Sequence, residues 1–403
     1  MAFEVRLLDL SDPRRAKGEL EAVGADPAGV AKMVPKASFL AFKATGIKAP
    51  GANILKQEAL AAGAEAAVSR GVINCSVART DVVILGTRKE IRALVRRLKP
   101  QPFGLKRLAA ELEAVLGAVE RRFELPWARG VLRLSERPHI MGILNVTPDS
   151  FSDGGEFLGR DEALARAEQM VAEGADLIDV GGESSRPGAE PVDEAVELSR
   201  VLPVIEHLAP RLPVPVSVDT YRAGVAEAAA AAGASIVNDI SGLAADPAMA
   251  ETVARTGAAV VVMHMRGTPR TMQSDTAYGD LLGEVCRSLR ESAERALAAG
   301  VPAEKIVVDP GLGFGKTAEG NLVLLGRLGE LRSLGYPVLA GASRKSFLGK
   351  VLGTEDPKDR LEGSLAAAAV AVWNGAHILR VHDVRETRRA AEVAWAVRQA
   401  RGG

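Results

Sequence analysis

The residues best suited to chemistry begin in the stretch Asn145-Val-Thr-Pro-Asp-Ser-Phe-Ser-Asp-Gly-Gly155. It follows an apolar run, His139–Leu144, that reads as a strand. An amide, hydroxyls, two carboxylates and two glycines, spread over more chain than a tight hairpin uses, have the make-up of an active-site loop. Asn145 falls at the rigid strand end, while Asp149 and Asp153 fall in the loop proper. That division suits a fixed metal or phosphate contact beneath a closing lid. The alternative is an ordinary solvated connection.

Polar groups recur after the other apolar runs. Gly181-Gly-Glu-Ser-Ser-Arg-Pro-Gly188 joins glycines, which permit close backbone approach, to hydroxyls and Arg186, which can hold an oxyanion. Asp219 closes one run, Asn238-Asp239 another, and Asp309 begins Asp309-Pro-Gly-Leu-Gly-Phe-Gly-Lys316. Ser343-Arg-Lys-Ser-Phe347 and Arg380-Val-His-Asp383 come last. Asp219, Asn238 and Asp309 would form a ring of acceptors. A carboxylate takes two parallel bonds from an amidine-like edge, so the matching ligand is a flat, nitrogen-rich heterocycle. Arg380 and His382 would give it a phosphate partner. Any one strand-end Asp is as readily a helix N-cap or half of a salt bridge; the whole set together points to a site. No Ser/His/Asp or Cys/His arrangement accompanies it.

These groups need a scaffold that brings many strand ends to one place. From His139 onward, β-branched runs alternate with Ala/Leu/Glu-rich amphipathic stretches. The runs are His139–Asn145, Asp176–Gly181, Val214–Thr220, Ser235–Ile240, Ala258–His264, Lys305–Gly311, Pro337–Ser343 and Ala376–Asp383. About eight such units predict an α/β fold of the (β/α)8 TIM barrel type, with an open doubly wound sheet as the alternative. Residues 1–122 read as a separate small α/β sandwich domain of unassigned role, and 123–403 as the barrel. In the first domain, strands are expected at Phe3–Leu10 and Ser38–Ala44. A helix is expected over Asn53–Arg70, capped by Asn53, and a hairpin at Val72–Leu85. Phe123–Arg137 is expected to form a hairpin plugging the barrel bottom.

The ordered motifs resemble the dihydropteroate synthase family of pterin-binding barrels, over roughly residues 137–400. The resemblance implies joining of 4-aminobenzoate to (7,8-dihydropterin-6-yl)methyl diphosphate with loss of diphosphate. It implies Asp219, Asn238, Met263, Asp309 and Lys345 as pterin-binding residues, and Asn145 as the Mg²⁺ ligand. Asn145, Ser185, Arg380 and His382 would meet the diphosphate. Arg186, Pro187, Phe314 and Ser346 would line the 4-aminobenzoate pocket. Asn145, Asp149, Asp153, Lys345, Arg380 and His382 would carry catalysis. Ser185 stands where the family more usually has Thr, and the N-terminal domain has no counterpart in the minimal enzyme. A corrinoid-dependent methyltransferase on the same barrel, or a non-catalytic pterin-binding protein, are the alternatives.

Composition restricts the partners. Formal net charge is zero, so no general basic field draws nucleic acid or an anionic membrane. Hydrophobic residues make up 47% without a bilayer-length run, and no signal segment is apparent, which predicts a cytoplasmic protein. Cys75 and Cys286 read as small core residues. The family resemblance implies a homodimer formed by barrel helices late in the chain, and Leu361–Trp373, rich in small apolar residues, suits that close helix–helix contact.

Overall fold

The computed structural model describes residues 4–146, 156–184, 190 and 192–400. The chain divides into two compact units, Arg121–Ala396 and Met1–Glu120 with Val397–Gly403.

In the smaller unit, α1 (Pro13–Ala22) and α2 (Pro27–Ala37) precede a sheet of β1 (Phe39–Lys48), β2 (Glu65–Ala67) and β3 (Arg79–Thr87). β3 lies between the other two and pairs antiparallel with both. Its residues alternate between exposed and buried, because only one face meets α3 (Ala49–Ala61) and α4 (Arg88–Leu98), with α5 (Leu105–Glu120) packed on α4. Leu55, Ile84, Ile91, Leu94, Leu98 and Leu105 fill that core. Thr87 and Glu90 form a reciprocal capping box that fixes the start of α4.

Several expectations for this unit are corrected. Residues 4–10 form no strand: Val5 and Leu7 are exposed, with no sheet to bury their alternating pattern. The long helix starts at Ala49, where Pro50 favours the first turn. Asn53 therefore lies inside it, and its amide donates to Val72 O at 2.8 Å. Val72–Val77 is a turn segment, so β3 pairs with β1 and β2 and makes no hairpin with it. Cys75 in that turn is exposed, not core. Cys286 does pack, half-buried, on the larger unit's core.

The larger unit opens with a short hairpin, β4 (Leu125–Trp127) and β5 (Gly130–Leu132). Eight parallel strands follow: β6 (His139–Asn145), β7 (Leu177–Gly181), β8 (Val216–Asp219), β9 (Ile236–Asp239), β10 (Ala259–Met263), β11 (Ile306–Asp309), β12 (Leu339–Ala340) and β13 (Ile378–Val381). Their order β11-β10-β9-β8-β7-β6-β13-β12, with the Val308↔Val338 bridge joining the two ends, closes the sheet into a barrel. Nine helices surround it among the described residues: α6 (Glu156–Ala172), α7 (Glu194–Leu208), α8 (Ala223–Ala231), α9 (Met249–Thr256), α10 (Leu281–Ala298), α11 (Ala318–Gly326), α12 (Ser346–Leu352), α13 (Leu361–Trp373) and α14 (Val384–Ala400).

The period-two alternation of the strands decides what faces the site. Ile140, Leu144, Ile178, Val180, Val218 and Leu379 point outward into the core shared with the helices. Their strand neighbours point inward, and these change character along the barrel axis. At the N-terminal end, Met141, Leu177, Ile236, Ala259, Val261, Val307, Leu339 and Ile378 pack with Phe123, Leu125 and Leu134 of the hairpin segment. The hairpin thus plugs the barrel bottom, each buried side chain stabilising by about 1.5–3 kcal/mol. Further along, in steps of two, the same inward faces carry Asp179, Ser217, Asp219, Asn238, Asp309, Arg380 and His382. Among the described residues, no helix is long and apolar enough to cross a membrane.

Candidate functional site

Strand register brings the C-terminal residues together. Asn145 pairs with Gly181, Gly181 with Asp219, and Asp219 with Asn238. Met263 pairs with Asp309. Arg380 reaches into the interior from β13. Its Nε donates to Asp179 Oδ2 at 2.6 Å and its Nη2 to Asp219 Oδ2, also at 2.6 Å. Asn238 Nδ2 donates to the same Asp179 oxygen at 3.0 Å. Burial pushes the Asp219 carboxyl up to about 7, with Arg380 pulling it down and Asp179 adding to the rise. For Arg380, burial works against the charge, but Asp179 and Asp219 outweigh it and hold the guanidinium above its ordinary value.

The loop after β11 is built around two lysines. Lys316 is buried, and its ammonium donates to the carbonyls of Gly311 at 2.9 Å, Phe314 at 2.8 Å and His264 at 3.3 Å. Burial lowers it to about 7. Gly311 donates its N–H to Asp309 at 2.7 Å. Only glycine serves there: φ is +66° and a Cβ would lie 2.0 Å from His264 O. The Asp309 carboxyl is raised by burial, with Lys345 the main opposing influence. Lys345 donates to Leu312 O, and its Nζ stands 4.2 Å from the centre of the Phe314 ring, a cation–π contact. Burial lowers Lys345 to about 8, while Asp309 holds it up. Phe314, Met263, Ile240 and Met272 form a small apolar cluster beside these charges.

Two further groups frame the mouth. Ser343 Oγ lies 3.0 Å from His382 Nδ1 and accepts the His382 backbone N–H at 3.2 Å. Arg222 forms ion pairs with Glu183 and Glu197 and donates to Val192 O. It therefore links both ends of the segment that follows β7. Tyr221 donates to Glu183 Oε1 at 2.8 Å.

The structure thus collects Asp219, Asn238, Met263, Asp309, Phe314, Lys345, Arg380 and His382 at the C-terminal mouth, with Asn145 exposed at its rim. Ser346 is exposed at the start of α12, next to Lys345. Asp149, Asp153, Ser185, Arg186 and Pro187 lie outside the described residues. Asp239 plays the structural part that its neighbour Asn238 does not, its two oxygens taking the N–H groups of Ser241 and Leu243. Sequence reasoning passed over Asp179. The available signal was a carboxylate inside Leu177-Ile-Asp-Val-Gly181, on the same parity as Leu177 and Gly181 and hence inward. It also gave Arg380 to diphosphate alone, whereas the guanidinium also contacts the acceptor ring. Leu361–Trp373 is helical, but its small residues Gly363, Ala367, Ala368 and Ala371 pack inward; Val370 and Trp373 are its exposed large apolar side chains.

A plugged parallel barrel whose opposite mouth gathers buried carboxylates, an amide and cations defines an enzyme of the barrel class, shaped for a flat ligand with several N–H donors. The family described as pterin binding enzyme matches residues 141–382. The dihydropteroate synthase of Synechocystis is 48% identical over 273 residues, 68% of this chain and 94% of that protein. The crystal structure of the Yersinia pestis dihydropteroate synthase with a sulfonamide drug has 47% sequence identity and a TM-score of 0.65, covering 69% of this chain and all of that one. The chain belongs to the dihydropteroate synthase family, transferases of folate biosynthesis. A probable bifunctional folylpolyglutamate synthase/dihydropteroate synthase of Halobacterium salinarum is 44% identical over 385 residues. That match covers 95% of this chain, so it includes sequence ahead of the barrel, while the chain spans only 46% of that protein's length.

Proposed function

We propose that the mouth binds (7,8-dihydropterin-6-yl)methyl diphosphate and joins it to 4-aminobenzoate, giving 7,8-dihydropteroate and diphosphate. The observation that carries this reading is the inward set Asp219, Asn238 and Asp309, held beside Lys345 and Arg380. Asp219 and Asp309 accept the ring's N–H edge, Asn238 orients it, and Met263 packs on its face. Phe314 lines the pocket for the aryl amine, with Ser346 at its edge. Lys345 stands where it can meet the ring.

The C–O bond between the exocyclic methylene and diphosphate breaks first, its electron pair leaving with diphosphate. Asp219 and Asp309 favour the positive charge left on the pterin. The aryl amine then forms the new C–N bond and loses a proton, so no strong general base is needed. Arg380 and His382 are the cations assigned to the departing anion, and the family resemblance adds roles for Ser185, Asp149 and Asp153, which lie outside the described residues.

The residues fit a Mg²⁺ ion held chiefly by substrate. Asn145 offers one hard oxygen at the rim, and Gly181 leaves the ground beside it open: a Cβ there would lie 3.8 Å from both Asn145 Oδ1 and Asp219 Oδ2. Mg²⁺ commonly takes one or two protein oxygens and completes its shell with phosphate and water. When bound, it neutralises charge on the leaving diphosphate. Incubation with both substrates and Mg²⁺, with dihydropteroate and diphosphate measured together, tests the reading; absence of both products would sink it. We also propose a cytoplasmic homodimer in which Val370 and Trp373 of α13 take part. Sedimentation as a monomer at micromolar concentration would count against that assembly.

A further inference from the structure

We propose that Asp179 is a positioning residue: its carboxylate holds Arg380 and the Asn238 amide, so that Asp219 can be given over to the substrate. The inference rests on the pterin reading above and adds a residue that would not touch the substrate.

Asp179 is 0% exposed, one layer below the mouth, on the inward face of β7. Its Oδ2 receives both the Arg380 Nε–H and the Asn238 Nδ2–H. A carboxylate is acceptor-only, so it determines which end of the Asn238 amide turns toward it: the NH₂ group faces Asp179, and the Asn238 oxygen faces the other way. The pair with Arg380 is a charge-assisted bond inside the barrel, where such bonds are strongest. Arg380 also touches Asp219, the acceptor required by the pterin edge. A guanidinium with one carboxylate below it can release the one above when substrate N–H groups arrive. Without Asp179 it would lean on Asp219 alone and compete with the substrate for it. Asp179 Oδ1 and the neighbouring Ser217 Oγ, buried in register on β7 and β8, have no hydrogen-bond partner among the described residues. An amide at position 179 could therefore place its NH₂ toward Ser217 while keeping an oxygen toward Arg380 and Asn238. Asp179→Asn then removes charge with little change of shape.

The test uses the full chain. Titration with 6-hydroxymethylpterin, KM for each substrate and the thermal midpoint are measured for the wild type and Asp179→Asn. Pterin affinity is expected to fall about tenfold or more, the scale of one charge-assisted contact, with KM for the dihydropterin diphosphate rising in parallel. KM for 4-aminobenzoate should not change, which separates positioning from general loosening. In an Arg380→Met background, Asp179→Asn should cost no further pterin affinity. If Asp179→Asn does not fold, Arg380→Lys carries the test: an ammonium cannot bridge both carboxylates as the fork does, and pterin affinity should fall selectively. Unchanged pterin affinity in the folded variant, or an equal loss with and without Arg380, overturns the proposal. A wild type that neither binds pterin nor makes dihydropteroate overturns the reading beneath it, so the two failures are distinguishable.

Discussion

Nη2 of Arg380 and Oδ2 of Asp219 lie 2.6 Å apart, joining β13 to β8 across the interior of the barrel. On the proposed reading, the same guanidinium would serve both as a cation for the leaving group and as the counterion of the pterin acceptor. Arg380→Ala should lower kcat by about a hundredfold or more, as loss of a preorganised transition-state contact does. Pterin affinity should fall with it, because Asp179 and Asp219 would then share a buried site without the guanidinium that bridges them. Steady-state kinetics and pterin titration check this. A variant with reduced kcat and intact pterin affinity would confine Arg380 to the diphosphate.

Asp309 differs from Asp219 in that, among the described residues, no arginine hydrogen-bonds to it and Arg380 acts on it only through its charge. Its partners are the Gly311 N–H and the nearby Lys345 and Lys316 ammonium groups. Asp309→Ala should weaken pterin binding by about 1–3 kcal/mol or more, since donors on the ring edge would be left unpaired. Asp309→Asn should recover part of the loss by keeping one acceptor. Calorimetry showing equal affinity in all three proteins would make Asp309 a scaffold residue.

Lys316 gives a pH prediction. It is lowered to about 7 from an ordinary 10.5, burial being the leading cause. Between those values the unfolded chain carries a proton that the folded one has lost, so this group's contribution to stability grows as pH rises from 7 toward 10.5 and is lost as pH falls through 7. Lys316→Met lacks the titration and leaves three carbonyls without their donor. It should be less stable than wild type, and the gap should widen by about 2 kcal/mol between pH 7 and pH 9. Denaturant unfolding at the two pH values measures it, and a constant gap would mean that Lys316 stays protonated throughout.

How much of this was legible beforehand follows from where the physical signals are local. Repeating β-branched runs between helical stretches carry the barrel in their own periodicity, and strand parity places Asp219 and Asp309 inward. Asp179 was missed because its role depends on an arginine 201 residues away, which no local pattern connects to it. The Lys316 cradle was missed for a similar reason: its three acceptors are backbone carbonyls, which leave no mark in a sequence. In the smaller unit, Phe3–Leu10 alternates like a strand, but alternation without a partner sheet does not make one.

The last prediction concerns the division between the two units. The acceptor ring, its cations and the barrel-bottom plug all lie within Arg121–Ala396. A chain beginning at Arg121 should therefore fold, bind pterin and make dihydropteroate, with residues 1–120 serving stability, assembly or partner contact. The boundary matters because Phe123, Leu125 and Leu134 close the barrel's lower end. Leu125→Ala alone should cost about 2–5 kcal/mol, as the loss of a buried leucine commonly does. A chain beginning at Arg137 would expose the underside of Met141, Leu177, Ile236 and Ile378 and should be poorly soluble or unfolded. Comparison of the two truncations by thermal melting and turnover decides the point. A folded Arg121 chain that binds the pterin substrate yet makes no dihydropteroate would place part of the catalytic machinery in the smaller unit.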